Sequence, residues 1–349
     1  MPRIAHFVAM GAAAAALACQ EHPTSPPYSA PPVLPPEDVA IAFVSDRDGS
    51  PHIYLADSTG TVVVRLVSGS APAFSRDGHR IAFDRGLTGS GIYVVNLDGS
   101  GERRLASGRN PAWSPDDRQI VFDGDDGIYV VAVDGSGTPQ LLLRDDAAPR
   151  PDWQDPWSFD PGWVEQPSWS PDGEHIAFVR ADPIGLDWGV ELNVYVMNAD
   201  GTEPRLLGGQ CPIQPPGQGV VPCPTNEPAW SVDGTYVTLA TYAHNGTTGL
   251  MDPVVASVGP DGWESRTVHY RGYKNYVAAP YWMPHGDRIL FAQHASSSFA
   301  DKRLARIFVL SVGTGAVQRL VPDALSPARR DYVDSDPVWS PASSEPWDY

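Results

Sequence analysis

The stretch PSWSPDGEHIAF, residues 167–178, decides how this 349-residue chain folds, because close copies of it recur along the sequence. The copies begin at Pro72, Pro111, Pro167, Pro228, Pro280 and Pro337. Two positions later each copy carries an aromatic residue: Phe74, Trp113, Trp169, Trp230, Trp282 or Trp339. The first two aromatic residues lie 39 positions apart and the later spacings run from 52 to 61, so one basic unit carries insertions of varying length. A period of this size is typical of repeat architectures.

Each unit divides into four short strand-like segments separated by turn residues. The first segment ends at the aromatic residue, and the second is an apolar triplet such as Ile176-Ala177-Phe178. The third resembles Ile92-Tyr93-Val94-Val95, and an Asp-Gly turn leads from it to a fourth that ends near a leucine such as Leu105. Short strands joined by glycine-containing turns predict an antiparallel meander. Four-stranded meanders repeated at this period predict the blades of a β-propeller.

The two ends of the chain predict how the ring closes. The first unit has its second and third strands at Ile41-Ala42-Phe43 and Ile53-Tyr54-Leu55, but no copy of the motif precedes them. The last copy, from Pro337, has no further strand after it. We therefore predict an all-β fold over residues 39–345, a six-bladed propeller of four-stranded antiparallel blades. A C-terminal strand would complete the N-terminal blade and remove two exposed edges, leaving residues 346–349 as a tail.

The pattern Pro-x-Trp-Ser-Pro-Asp-Gly, then Ile-Ala-Phe, Ile-Tyr-Val, Asp-Gly and Arg-x-Leu, resembles the propeller repeats of TolB and its relatives in bacterial envelopes. The resemblance covers nearly all of residues 38–342 and implies the propeller fold. TolB proteins carry an N-terminal α/β domain before the propeller, whereas we expect only a proline-rich linker in that place here. The resemblance therefore implies the fold rather than TolB's own role.

The first 38 residues predict export and attachment to a membrane. Arg3 precedes an apolar, alanine-rich run that is typical of a signal peptide, here over residues 1–18. The run ends in Ala16-Leu17-Ala18-Cys19, which resembles a bacterial lipobox, so we predict that Cys19 carries the lipid. The alternative is an ordinary secretory signal cleaved just before that cysteine. Residues 19–38 contain seven prolines and predict a semi-rigid linker between the lipid and the propeller.

The strongly acidic composition limits the classes of partner that this protein is expected to bind. The formal net charge is -18, which disfavours nucleic acid and anionic headgroups, so we expect membrane contact only through the N-terminal lipid. We expect a monomer in the bacterial cell envelope, on the periplasmic or surface side of the outer membrane.

Cys211 and Cys223 flank a short proline- and glycine-rich loop, which predicts a disulfide in an oxidising compartment. A metal-binding pair is the alternative.

Six long insertions are predicted on one face of the ring. They cover residues 144–166, 181–192, 208–227, 241–253, 293–305 and 321–336, and each follows the second or fourth strand of a blade. Long loops on a rigid scaffold are a common place for binding residues. These loops and their neighbours concentrate aromatic and basic side chains, which dominate interface hot spots. The predicted binding residues are Trp153, Trp157, Trp163, Trp188, Arg271, Tyr273, Lys274, Tyr276, Arg329, Arg330 and Tyr332. The alternative is that the loops only pack against one another.

Metal ligands are sparse in this sequence, and we expect no cofactor. Asp46 and Asp48 echo the carboxylate spacing of calcium loops but lack the terminal glutamate of an EF-hand loop, which favours a turn-forming role. His244 and His294 follow the second strands of blades five and six. They are the other candidates for holding Ca²⁺ or another divalent ion in the channel.

The functional prediction is a non-catalytic envelope lipoprotein that binds a protein, peptide or glycan on the face with the long loops. No nucleophile, base and orienting group can be placed together from the sequence. The alternative is a metal-dependent propeller enzyme, similar to polysaccharide lyases, with its site at the channel mouth. A purely structural anchor is the third reading.

Overall fold

The structure, a computed structural model, describes residues 34–86, 91–145, 163–184, 189–208, 226–244, 251–259, 262–271, 276–294, 305–320 and 334–341. These residues form six four-stranded antiparallel sheets, preceded by a short 3-10 helix, Pro36–Asp38. The predicted all-β six-bladed propeller is therefore confirmed. The predicted signal peptide, Cys19, Cys211 and Cys223 lie outside the described residues. None of the helical residues described belongs to a helix long and apolar enough to cross a membrane.

The strands follow one another around the ring in chain order. Blade 1 contains β1 (Ile41–Ser45), β2 (His52–Ala56), β3 (Val63–Ser68) and, from the other end of the chain, β24 (Asp334–Trp339). Blade 2 contains β4 (Ser70–Phe74), β5 (Arg80–Arg85), β6 (Gly91–Asn96) and β7 (Arg103–Ser107). Blade 3 contains β8 (Arg109–Trp113), β9 (Gln119–Asp123), β10 (Gly127–Ala132) and β11 (Gln140–Arg144).

The second half of the ring has the same order, with longer second and third strands. Blade 4 contains β12 (Val164–Trp169), β13 (His175–Ile184), β14 (Gly189–Asn198) and β15 (Arg205–Gly208). Blade 5 contains β16 (Asn226–Trp230), β17 (Val237–His244), β18 (Met251–Gly259) and β19 (Gly262–Arg271). Blade 6 contains β20 (Tyr276–Trp282), β21 (Arg288–His294), β22 (Ala305–Ser311) and β23 (Val317–Arg319).

The C-terminal strand closes the ring as predicted. Strand β24 pairs with β1 in antiparallel register, so that Ile41 lies opposite Trp339 and Ala42 opposite Val338. The resulting sheet has the order β24-β1-β2-β3. The strand β24 also contacts β20 of blade 6 and β4 of blade 2, its neighbours around the ring. Pairing the two ends of the chain in one blade leaves no open edge between blades 1 and 6.

The motif tryptophans join neighbouring blades. The indole N–H of Trp113 donates to the carbonyl of Ala73 in blade 2 at 3.0 Å, and that of Trp230 donates to the carbonyl of Ser168 in blade 4 at 3.0 Å. In blade 6 the indole of Trp282 contacts the hydroxyl of Thr238 in blade 5. These contacts confirm the predicted packing of the motif aromatics between blades. Burying each ring while its N–H finds an acceptor is the usual requirement for a core tryptophan.

Stacked aromatic pairs fill the cores between the blades. Each pair joins the second strand of a blade to its third, with ring centroids between 5.5 and 5.9 Å apart. The pairs are Phe43–Tyr54, Phe83–Tyr93, Phe122–Tyr129, Phe178–Tyr195 and Phe291–Phe308. The phenylalanine of the second strand is fully buried in each pair. The apolar triplet of the repeat, which ends in phenylalanine, thus supplies one anchor of the core for each of these blades.

The Ser-Pro-Asp-Gly turns are held by their own side chains. In blade 4 the Ser170 hydroxyl bonds Asp172, and the carboxylate of Asp172 accepts the backbone N–H of Glu174 at 2.9 Å. The same serine–aspartate bond recurs in the turns of blades 2, 3 and 5. The serine hydroxyl hydrogen bond lowers the pKa of Asp172 below its usual value, so this carboxylate is ionised at neutral pH. These contacts confirm that the motif aspartates stabilise their turns.

Blades 4 and 5 correct one part of the sequence interpretation. Residues 181–192 and 241–253 were expected to be loops, but strands continue into both segments. In blade 4 the strands pair as far as Ile184 opposite Gly189, and in blade 5 as far as His244 opposite Met251. Inserted residues can pair with one another because a hairpin satisfies their backbone hydrogen bonds without help from the rest of the ring.

Candidate functional site

The two ends of the ring differ in construction. We call the end that carries the first-to-second and third-to-fourth connections the short-turn face, which includes residues 75–79, 114–118 and 170–174. The opposite end, with the second-to-third and fourth-to-first connections, is the long-loop face, whose described residues include Asp145, Trp163, Ile184, Gly189, Arg271 and Tyr276. Antiparallel pairing within each blade places the two kinds of connection at opposite ends.

The long-loop face is higher over blade 4 than over blades 1 to 3. Strands β13 and β14 have 10 residues each, whereas β5 and β6 of blade 2 have 6 each. Four additional residues at the strand rise of about 3.3 Å lengthen the blade by about 13 Å. The long strands of blade 5 extend the same side of the ring, because β17 ends at His244 on this face. On this face, the channel mouth is therefore surrounded by blades of unequal height.

The projecting hairpin of blade 4 is fixed at its base by a polar network. One oxygen of Asp182 accepts hydrogen bonds from Asn193 at 2.7 Å and from the Tyr195 hydroxyl at 2.8 Å. Its other oxygen lies 3.3 Å from Nε of Arg180, whose guanidinium also lies over the Tyr195 ring. Three groups thus hold one carboxylate in place at the base of the hairpin.

Trp163 is the one predicted binding residue whose side-chain environment the structure describes. Its ring is half-buried and packs against Val179, Ala181 and Leu192 at the base of the same hairpin. Its carbonyl accepts the backbone N–H of Ala181 at 2.8 Å. Trp163 therefore stabilises the hairpin, and its uncovered part lies on the long-loop face.

The remaining predicted site residues are placed only in part. Arg271 ends β19 and Tyr276 begins β20, so both backbones lie at the long-loop end of their strands. The residues outside the described part of the chain are Trp153, Trp157, Trp188, Tyr273, Lys274, Arg329, Arg330 and Tyr332.

The two candidate histidines lie at strand ends on the long-loop face. His244 is the last residue of β17 and His294 the last of β21. His244 lies seven residues beyond Val237, which pairs with the motif tryptophan of blade 5. His294 lies five residues beyond Ile289, which pairs with the motif tryptophan of blade 6. The two histidines therefore lie at different heights along their strands. An offset of two residues is about 7 Å along a strand.

The predicted calcium-loop aspartates form a turn between β1 and β2. The carbonyl of Asp46 accepts the N–H of Gly49 at 2.7 Å, which closes the turn. The Asp48 carboxylate accepts the Tyr54 hydroxyl at 2.5 Å and lies 3.5 Å from the Arg65 guanidinium. Burial and the Asp48 carboxylate raise the pKa of Tyr54 well above its usual value, so the phenol stays protonated and donates to that oxygen. Asp48 thus holds a loop to its own blade.

A cavity of about 650 Å³ runs along the axis of the ring and is lined by the first strands. Its described wall combines apolar side chains with polar ones such as Arg76, Asp84 and Asn110. One ring of the wall consists of six prolines: Pro72, Pro111, Pro167, Pro228, Pro280 and Pro337. The next ring toward the short-turn face contains Ala73, Ala112, Ser168, Ala229, Tyr281 and Val338. Apolar cavities of this size with a few polar groups are typical of sites for small ligands.

A β-bulge in each first strand shapes the cavity wall. Just before the motif proline, the residues Ala71, Asn110, Gln166 and Ala279 have φ between 46° and 54°, the left-handed region that such residues rarely adopt. The bulge turns the Asn110 N–H toward Asp84 of blade 2, at 3.1 Å, and the Gln166 N–H toward Asp123 of blade 3, at 3.3 Å. Each of these aspartates therefore links two blades next to the channel.

Asp123 is the most perturbed acid among the described residues. Its side chain is 1% exposed, and burial raises its pKa to about 6, although the guanidinium of Arg109, 3.4 Å away, opposes the shift. Asp84 lines the cavity and accepts the Ser70 hydroxyl and the Asn110 N–H. Sequence reasoning missed Asp84, because no pattern distinguishes it from other strand residues.

One group of potential metal ligands occurs among the described side chains. Asp172, Glu174 and His175 approach within 4.8 Å of one another on the short turn of blade 4. Asp172 and Glu174 are exposed, and the Asp172 carboxylate already bonds the Ser170 hydroxyl and the Glu174 N–H. The contacts that fix the repeat turn account for this arrangement.

Solved structures with the same architecture are found in several proteins. TolB from Acinetobacter baumannii superposes with a TM-score of 0.59 at 16% identity, covering 86% of this chain and 66% of that one. The fold is that of the TolB propeller. Hydrazine synthase from Kuenenia stuttgartiensis gives a TM-score of 0.60 at 15% identity, covering 88% of this chain and 48% of that chain. Oligogalacturonate lyase from Vibrio parahaemolyticus gives 0.50 at 14%, covering 82% and 75%.

Sequence comparison adds no assignment. No family model matches the chain, and no curated protein matches it. At identities of this size, structural likeness establishes the propeller architecture alone. The chain covers slightly less than two thirds of the A. baumannii TolB chain, so the activity and partners of that protein do not transfer directly.

Proposed function

We propose that this protein is a non-catalytic binding scaffold of the bacterial envelope, whose partner contacts the long-loop face. The partner is a protein, a peptide or a glycan. The propeller supplies a rigid ring, and the connections on one face supply the contacts, which is how this architecture carries many different functions. The TolB fold and the predicted export sequence at residues 1–18 support the envelope as the location.

The observation that carries the proposal is the hairpin of blade 4. It projects about 13 Å beyond the strands of the first blades, and Asp182 and Trp163 fix its base through hydrogen bonds and packing. A projection held in one conformation loses little entropy when a partner binds. The short-turn face carries tight, internally bonded turns of nearly equal length, which offer no comparable projection.

Anchoring through Cys19 and a Cys211–Cys223 disulfide belong to the same proposal. Lipidation predicts that Cys19→Ser releases the protein from the membrane fraction while the folded propeller persists. Intact-mass analysis of the purified protein, before and after reduction, tests the disulfide through a difference of two hydrogens. A full-length, unlipidated protein with three free thiols would contradict both assignments.

The binding face is tested by crosslinking in cells that express the protein. A photoreactive residue placed at Arg271 or Tyr276 reports on the long-loop face, because these positions lie at strand ends there. Matched probes at Arg118 and Thr235 report on the short-turn face, where both side chains are exposed. We expect a discrete crosslinked product from the first pair alone. Crosslinks confined to Arg118 and Thr235 would refute the proposed face.

A metal-dependent enzyme is the second candidate function. The fold is shared with an oligogalacturonate lyase, and both candidate histidines end strands on the long-loop face. The decisive measurement is metal content, followed by turnover of acidic polysaccharides with and without a chelator. Turnover that the chelator abolishes, and that His244→Ala or His294→Ala also removes, would replace the scaffold proposal. Absence of bound metal and of turnover would eliminate the enzyme.

A further inference from the structure

The axial cavity reaches the short-turn face, away from the proposed partner surface. Its rim there consists of the residues that follow the motif serine, or its equivalent, in each blade: Arg76, Pro115, Pro171, Val232, Pro284 and Pro341. All are apolar except Arg76, which occupies the place that proline takes in four other copies. The side chains of Arg76 and Val232 are exposed, so the rim is open to solvent.

Arg76 brings a positive charge to this rim. Its backbone N–H donates to Asp117 of blade 3 at 2.5 Å, which fixes the main chain. Its guanidinium forms no ion pair with any carboxylate in the described part of the chain. An arginine held at its backbone, with its fork of donors uncommitted, is suited to bind a carboxylate.

Tyr281 supplies a second donor on the same wall. Its ring lines the cavity beside Val338, and its hydroxyl has no hydrogen-bond partner within the described residues. Tyr281 and Arg76 both line this cavity. Burial raises the pKa of Tyr281, so its phenol is protonated at neutral pH. A protonated phenol next to an arginine can donate to the same anion.

The rest of the wall favours a small ligand over a polypeptide. The six lining prolines have no N–H, and the N–H groups of Asn110 and Gln166 are taken by Asp84 and Asp123. A peptide backbone in this cavity would leave many of its carbonyl groups without donors. The carboxylate of Asp84, the one acid on the described lining, is already bonded by Ser70 and Asn110 and does not neutralise Arg76.

We propose that this end of the cavity binds a small monocarboxylate with an apolar body. Arg76 and the Tyr281 hydroxyl hold the carboxylate. The apolar body packs against the proline rings and the motif tryptophans that line the wall, among them Trp230 and Trp282. This site is separate from the partner surface proposed for the long-loop face, so either assignment can fail without the other.

The test is titration calorimetry of the full-length exported protein with decanoate and with 4-phenylbutyrate. Methyl decanoate and decylamine are the matched neutral and cationic compounds. We expect Arg76→Gln to weaken carboxylate binding by about tenfold or more, because a charge-assisted pair is lost. Tyr281→Phe should cause a smaller loss. Arg118→Gln makes the same charge change on the same face, outside the cavity lining, and should bind like the unaltered protein.

Three results would overturn the proposal. Decylamine or the methyl ester could bind as tightly as decanoate. Arg118→Gln could weaken binding as much as Arg76→Gln does. The third such result is that neither decanoate nor 4-phenylbutyrate binds to the full chain or to a variant that ends at Pro341. The last variant lacks residues 342–349, which follow Pro341 in the sequence.

Discussion

Replacing Asp123 by asparagine should remove part of the pH dependence of stability. The carboxyl group lies between blades 3 and 4 with 1% of its side chain exposed, and its pKa is raised to about 6 from a usual value of 3.8. Burial disfavours the ionised form more than Arg109 and the N–H of Gln166 favour it. At neutral pH the propeller therefore contains a buried carboxylate that would be more stable in water.

The size and sign of the effect follow from the two pKa values. Between pH 3.8 and about 6 the folded protein binds more protons at this site than the unfolded chain does. The free energy of unfolding therefore falls as pH rises through this window, and the stabilisation is fully lost above it. A shift of about two units corresponds to about 3 kcal/mol. Asparagine does not titrate and keeps an oxygen for the Gln166 N–H, so Asp123→Asn should lack this loss.

The assay is urea unfolding followed by tryptophan fluorescence between pH 4 and pH 7.5. As the pH rises across that range, the unfolding free energy of Asp123→Asn should increase by about 3 kcal/mol relative to that of the unaltered protein. Asp98→Asn is the control of opposite sign: hydrogen bonds from Ser100 lower the pKa of Asp98, so its stabilisation is lost as pH falls. A difference for Asp123→Asn that is constant with pH would refute the reasoning.

Three further predictions concern the joints between blades. Trp230→Phe should reduce the unfolding free energy by about 1 to 3 kcal/mol through the unpaired Ser168 carbonyl. Trp169→Phe should lose less, because its buried indole N–H has no partner among the described residues; urea midpoints test the pair. Asp117→Ala removes the acceptor of the Arg76 and Asp77 N–H groups and should cost about 1 kcal/mol, more than Asp117→Asn, by the same assay. Deleting residues 334–349 removes β24 and should cause aggregation in light scattering, whereas deleting only 342–349 should leave the melting temperature unchanged.

The ring could be predicted from sequence because the motif forms most of its bonds locally. Ser170, Asp172 and the glycine of the turn lie within four positions of one another, so one copy of the motif specifies one hairpin. Closure was also predictable, since the first blade lacked a motif copy and the last copy lacked a blade. The pairing of β24 with β1 confirmed that reasoning.

The cavity wall was not predictable, because its shape depends on backbone conformations that the residue types do not favour. Alanine and glutamine have no preference for positive φ, yet Ala71, Gln166 and Ala279 adopt it before a proline. The hairpin of blade 4 was missed for a similar reason. Asp182 and Pro183 interrupt the alternation expected of a strand, although both pair across the hairpin, with Glu191 and Val190.

Departures from the repeat are the places where a ring of similar blades can acquire function. Where a motif serine, aspartate or tryptophan bonds its own turn or the next blade, that side chain is not available for a ligand. Six equivalent prolines or six equivalent turns also present the same chemistry in every direction around the axis, so they cannot orient an asymmetric molecule. One arginine in a proline position, as at Arg76, or one hairpin longer than the others, as in blade 4, breaks that equivalence. Both departures lie at an end of the channel, one on each face, and this is why we assign separate ligands to the two ends.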